Sequence, residues 1–337
     1  MPWFRWLRPV LLLAVLAASL AAGFAGRGWF EYRHGSLHQD DKPRRIVIAL
    51  GSGPMQTSAA LRAAGIEIGA QRLAWVFRLR GDANRYKAGT YEIPADMPLA
   101  VLLDRLSAGE GRLSSLRIGE GWTFRQLRAL IDFHPELTGD TRELDETQLL
   151  SRIGAGFARA EGLFFPDTYQ FAPGTSALQI YRQAYRTMER VVEQEWGTRA
   201  IGLPLENAYQ GLVLASIIEK ETGRPEDRER VAAVFINRLR RGMPLQSDPT
   251  TIYALGDAYE GRLRRRDLQM DHPHNTYSRT GLPPTPIAIP SRAAIAAALQ
   301  PAPVSALYFV ARGDGSSEFS DDLAAHNRAV SRYLQKK

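Results

Sequence analysis

Residues 7–26 read LRPVLLLAVLAASLAAGFAG, about 20 positions with a single charge, Arg8, near the edge. As a helix, such a stretch is long enough to cross a hydrocarbon core of about 30 Å, and this limits the chain more than any other feature. Trp3 and Trp6 before it, and Trp29 and Phe30 after it, suit the two membrane interfaces. Arg5 and Arg8 favour a cytoplasmic N-terminus, while Arg27 and Arg33 on the far side pull against that orientation. The small residues at 21–23 and 25–26 also fit a cleaved signal peptide. The reading adopted is an uncleaved transmembrane helix at 7–26, a cytoplasmic tail at 1–6, and everything beyond on the other side of the membrane.

The remainder of the chain is globular in composition. The chain has 337 residues, 45% apolar and 23% charged, enough for two domains with real cores. A net charge of +7 makes acidic surfaces and anionic polymers plausible partners. The cations are scattered and lack interleaved aromatic platforms, so nucleic-acid binding is not expected. With no Cys, disulfides, thiolate catalysis and Cys-based zinc sites are excluded. His272 and His274 flank a proline, but no third ligand is signalled nearby, so neither a metal nor any other cofactor is expected.

The expected fold class is α+β: a transmembrane helix, a polar linker at 27–45, a small α+β module at 46–110, and a larger mixed α+β domain at 111–337. Helices are expected near 57–67 (with Gly65 at its C-terminal cap), 71–79, 98–106, 123–131 (Thr123 as N-cap), 176–195, 207–221, 225–241 and 292–299, and a last one from Asp321. Strand patterns lie near 45–51, 87–93, 112–118 and 306–311, and residues 132–160 are weakly patterned. The pair Gly51-Ser-Gly53 is too short for a phosphate loop.

The chemistry is expected near Glu219, where the apolar run 212–218 ends in a carboxylate. On a helix its neighbours one turn away are Ala215, Ser216, Thr222 and Gly223, all small enough to leave it in an open, partly apolar pocket. Low polarity favours the neutral acid, which can donate a proton to a leaving oxygen. A plain ion pair with Lys220 or a neighbouring Arg is the alternative reading. Glu221, nearer the helix end, is expected to be solvated or bridging. Gln246, Ser247 and Asp248 offer an amide, a hydroxyl and a carboxylate on a proline-rigid loop, suited to sugar hydroxyls. Equally, Ser247 or Asp248 could simply cap the helix beginning near Thr250. The proline-rich 281–291 segment is a groove wall or plain packing.

Several ordered motifs together resemble the MltG/YceG-like endolytic murein transglycosylases: LASIIEKET (214–222), VFINRLRRGMPLQSDPTTIYAL (234–255), NTYSRTGLPPTPI (275–287) and LYFVARGDG (307–315). KAGTY (87–91), GEGWT (119–123) and EGLFFPDTY (161–169) add to it, and the likeness covers about residues 45–335. The resemblance implies a single-pass inner-membrane protein with a LysM-like module and a periplasmic catalytic domain. It implies a lyase that cuts MurNAc-GlcNAc bonds in peptidoglycan without water, leaves 1,6-anhydro ends, and terminates or releases nascent strands. It makes Glu219 catalytic, with Gln246, Asp248, Asn275 and Tyr277 as candidate saccharide contacts, and penicillin-binding proteins as possible wall-synthase partners. A wall-binding scaffold and a two-carboxylate muramidase are the rival readings. This sequence departs from the family pattern at His274, where Tyr is usual, at Thr285, where Gly is common, and at Ser317–Glu318, where a His often precedes the Phe.

Overall fold

Alternation along Arg44–Ile48 sends Ile46 and Ile48 inward, and this strand, β1, pairs antiparallel with β2 (Gly89–Ile93) in the register Ile46↔Tyr91. A computed structural model gives the architecture, and the residues it describes are 4–38, 42–49, 52–66, 68, 70–81 and 86–333. Gly51 and linker residues 39–41 lie outside that set. The chain divides into two compact units, residues 1–115 with 170–175, and residues 116–169 with 176–337.

The first unit begins with α1 (Phe4–His34). From Leu12 to His34 it is long and apolar enough to cross a membrane by length and composition. It does not stop at Gly26. An Arg27–Glu31 pair at 3.1 Å and a Trp29–Tyr32 ring contact one turn apart continue it through the first part of the expected linker. The order then runs β1, α2 (Pro54–Ala63), α3 (Ala70–Arg80), β2 and α4 (Leu99–Ala108), which places two helices between two paired strands. Gly65 comes just after α2 with φ +77°, the left-handed role expected of it. Leu61, Leu73, Tyr91, Ile93, Leu102 and Leu106 form the core, joined by Tyr32 from the end of α1. The KAGTY motif is packing: a Cβ on Gly89 would stand 2.8 Å from Gly111 Cα, and buried Tyr91 donates its hydroxyl to Lys87 O.

The rest of the chain adds the short strands β3 (Ser114–Arg117), β4 (Leu137–Thr138), β5 (Thr168–Phe171) and β6 (Thr175–Ser176), then mostly helices. In the second unit these are α5 (Phe124–Asp132), α6 (Glu146–Ile153), α7 (Ala177–Gly197), α8 (Ala208–Glu221), α9 (Pro225–Arg240), α10 (Asp248–Leu255), α11 (Arg265–Leu268), α12 (Arg292–Leu299) and α13 (Leu323–Tyr333). An antiparallel pair, β7 (Tyr308–Ala311) and β8 (Ser317–Ser320), precedes α13.

The unit is centred on α8, where residues 211–218 are all buried. A helix apolar on every side must be enclosed, and α7, α9 and α12 enclose it. The approach of α12 is close enough that a Cβ on Gly211 would meet Leu299 Cδ2 at 2.9 Å. Thr123 caps α5 as expected, in a reciprocal box with Gln126. The weakly patterned 132–160 region contains α6, which opens on a reciprocal box between Asp145 and Gln148. That box is the local signal for this helix, because its apolar period is too short to reveal it.

Candidate functional site

Helix α8 ends on Glu219-Lys220-Glu221, and the roughly 100° between successive helical residues sends the three side chains to three different neighbours. Glu219 is half-buried, and its Oε2 accepts from Ser291 N at 2.9 Å and from Ser291 Oγ at 2.5 Å. Ser291 is the N-cap of α12, so one carboxylate oxygen is fixed at a helix start. The other oxygen has no protein hydrogen bond among the described residues. The small neighbours one turn back, expected to leave an open pocket, are packed over instead. Ala215 and Ser216 are fully buried, Ser216 Oγ accepts from Ile287 N at 3.0 Å, and the 287–291 segment passes over the helix and delivers Ser291 to Glu219.

Lys220 turns the other way. Its Nζ donates to Gly121 O at 3.3 Å and it lines a cavity of about 1000 Å³ in this unit. A Cβ on Gly121 would lie 3.8 Å from Lys220 Nζ and 3.9 Å from Glu219 Cγ, so the GEGWT turn touches both side chains. The cavity floor carries Glu161, which is 7% exposed. Its Oε1 accepts from Phe124 N, in the first turn of α5, at 2.8 Å, and its Oε2 accepts from Tyr253 Oη at 3.2 Å. Burial pushes this carboxyl up to about 7, outweighing those hydrogen bonds, which favour the ionised form. Gly162 beside it has φ +76°, and a Cβ there would stand 2.4 Å from Pro286 Cβ. Only glycine lets the EGLFFPDTY turn lie against the proline-rich segment that carries Ile287 into the cavity wall.

Of the two roles expected of Glu221, solvated or bridging, the structure shows the bridging one. Glu221 accepts from Ser247 Oγ at 2.5 Å, beneath the 242–250 loop, and burial pushes it up to about 7. The loop closes over the helix end, which the helix pattern alone does not reveal. Arg238, in the last turn of α9, is buried. It donates to Leu307 O, Leu245 O and Pro244 O, and to Gln246 Oε1 at 3.2 Å.

These groups set the conformation of the loop. Gln246 is exposed and has φ +53°, a left-handed backbone rare outside glycine, held by Arg238 and by its own N–H to Thr276 O. Asp248 is exposed at the start of α10, and its Oδ1 accepts from Tyr277 Oη at 2.5 Å. Ser247 is the N-cap of α10 without a side-chain capping bond, since its hydroxyl goes to Glu221.

Asn275 requires a correction. It is fully buried, Nδ2 donates to Asp267 O, Leu268 O and Met270 O, and Oδ1 accepts from Thr251 Oγ1 and Tyr277 N. Its amide is spent on holding the chain, leaving no surface for a sugar. The structure thus brings Gln246, Asp248 and Tyr277 together around Arg238 and Glu221, with Asn275 as their support.

Two departures from the family pattern also meet. His274 Nε2 and Thr285 Oγ1 are 2.8 Å apart, and burial pushes the imidazole down to about 4, so it is neutral near pH 7. Sequence reading missed Glu161, although the signal that marked Glu219, an acid against an apolar run, is present in EGLFF.

The profile of the YceG-like family matches residues 46–332. The chain belongs to the YceG-like family. This YceG-like chain is 31% identical over 276 residues to the endolytic murein transglycosylase of Bacillus subtilis, covering 76% of the chain and 75% of that relative. It is 28% identical to the endolytic murein transglycosylase of Streptococcus pneumoniae D39 over 97% of the chain, and spans 65% of that longer protein. A crystal structure of a yceG-like protein from Listeria monocytogenes superposes with a TM-score of 0.54 at 28% identity, covering 86% of this chain and 99% of that one.

Proposed function

We propose that the chain is an endolytic murein transglycosylase in which Glu219 carries the proton both ways. Glu219 protonates the glycosidic oxygen between MurNAc C1 and GlcNAc, and the C1–O bond breaks as oxocarbenium charge develops. The carboxylate so formed takes the proton of the same MurNAc C6 hydroxyl, whose oxygen closes on C1. The acid is regenerated, a 1,6-anhydro end is left, and no water is consumed. Holding the internal nucleophile in place replaces a second protein group.

The observation that carries this reading is the geometry of Glu219: one oxygen fixed by Ser291 and the other open, in the family whose relatives bear that name. Gln246, Asp248 and Tyr277 face the saccharide, with Asn275, Arg238 and Glu221 holding their loop. The apolar stretch of α1 anchors the protein in the inner membrane with the N-terminus cytoplasmic and the catalytic unit periplasmic. The two helices between paired strands in the first unit act as a LysM-like wall-binding module. Cutting nascent strands in this position terminates or releases them next to penicillin-binding synthases. The test is incubation of purified glycan strands with native protein and with Glu219→Gln. Anhydro-ended fragments are expected from the native protein alone, and their release by the variant would refute the role of Glu219.

A further inference from the structure

Resting on the reading above, the lining of the large cavity points to a feature of the substrate beyond its sugar backbone. Five cations line it, Arg125, Arg128, Arg142, Arg159 and Lys220, against three acids, Asp132, Glu146 and Glu161. The acids are largely committed. Asp132 is 4% exposed and accepts from Arg128 Nε at 2.8 Å, Thr141 Oγ1 at 2.7 Å and Tyr181 Oη at 3.0 Å. Glu161 accepts from Phe124 N and Tyr253 Oη, and Glu146 accepts from Ala160 N at 2.6 Å.

Arg128 is held by Asp132 and two backbone carbonyls, and the other four cations are less committed. Arg142 donates to the backbone carbonyl of Asp132 and lies over the Phe133 ring, and Lys220 reaches the carbonyl of Gly121. Neither pairs with a carboxylate among the described residues. Arg159 stands 3.6 Å from Glu146 with its side chain 65% exposed, and Arg125 pairs with Asp257 in the open. Exposed pairs of this kind exchange readily for a ligand carboxylate.

In stem-bearing murein the lactyl carboxyl of MurNAc is an amide to the peptide, so the free carboxylates lie along the stem, whereas a denuded MurNAc keeps only its own lactyl carboxylate close to the ring. The turn at Gly121 lies beside both Lys220, which lines the cavity, and Glu219, so a strand seated at Glu219 would run close to this cavity, whose volume of about 1000 Å³ is large for a small-molecule site. We propose that the cavity is a subsite for the carboxylate-bearing peptide stem, so that the enzyme selects stem-bearing strands over denuded ones, with Arg142 and Arg159 as specificity residues.

The test titrates the native full-length protein calorimetrically with disaccharide tetrapeptide and with the same disaccharide lacking its peptide. Neither probe requires cleavage, so the result is independent of the catalytic reading. The stem-bearing probe is expected to bind about tenfold tighter, with the advantage shrinking as salt rises. Arg142→Gln with Arg159→Gln should erase that advantage, and the Lys pair at the same positions should keep most of it. Equal affinity for the two probes, binding of neither, or full stem preference in the Gln pair would each overturn the inference. Strand cutting by the native protein, measured separately against Glu219→Gln, shows whether the catalytic reading stands when the stem subsite does not.

Discussion

Glu219 and Glu161 belong to the same unit but have opposite surroundings. Glu161 is almost wholly buried, satisfied at both oxygens, and pushed up to about 7 by desolvation. Glu219 is half-buried, fixed at one oxygen by Ser291 and open at the other. The more deeply buried acid is therefore not the one the family motif singles out. Perturbation by burial marks a group that folding has enclosed, and reaction needs a group that substrate can reach. On the proposed mechanism Glu219 transfers the proton, and Glu161 shapes the cavity.

The largest effect expected is on turnover. Glu219→Gln should lower strand cleavage by about 10³-fold, within the range for loss of a general acid, while Glu161→Gln should cost less than about tenfold. Initial rates on purified strands measure both, and reversal of that order would break the contrast between the two acids.

A smaller effect is expected on stability against pH. Glu161 and Glu221 hold protons more tightly folded than unfolded, rising from 4.5 to about 7. The stability they support is therefore full below about pH 4.5 and declines as pH rises to about 7, staying lower above it. Glu161→Gln should remove about 3 kcal/mol of that decline. Urea unfolding of native and variant protein at pH 5 and pH 8 reads the difference, and parallel curves would contradict it.

Asn275→Ala should destabilise by about 2 kcal/mol, because it strips buried carbonyls and the Thr251 hydroxyl of their partner. Unfolding midpoints measure it, and a loss of activity without loss of stability would return Asn275 to the saccharide. The smallest effect is for Ser291→Ala, about 1 kcal/mol from the lost N-cap together with a drop in turnover at unchanged KM. A stability loss with turnover intact would separate Ser291 from Glu219.

Much of this arrangement was legible from local pattern. The span 225–241 announced α9 through proline at its start, acids in its first turn and an apolar stripe, and Asn207 and Ser291 capped α8 and α12 near their expected starts. Contacts distant in sequence were not legible. Glu161 meets its partners Phe124 and Tyr253 across 37 and 92 positions, and Glu219 meets Ser291 across 72. Asn275 looked like a polar loop residue because composition cannot tell an amide that faces solvent from one folded inward. The motif located Glu219, but only the fold showed that the crossing 287–291 segment lies against one side of it.

The most direct test of the central claim is to digest stem-bearing strands with native protein in water enriched in heavy oxygen and weigh the new ends. A carboxyl that returns its proton through the C6 hydroxyl predicts ends lighter by one water and free of label. Labelled ends of full hydrolytic mass would contradict it and make the enzyme a hydrolase.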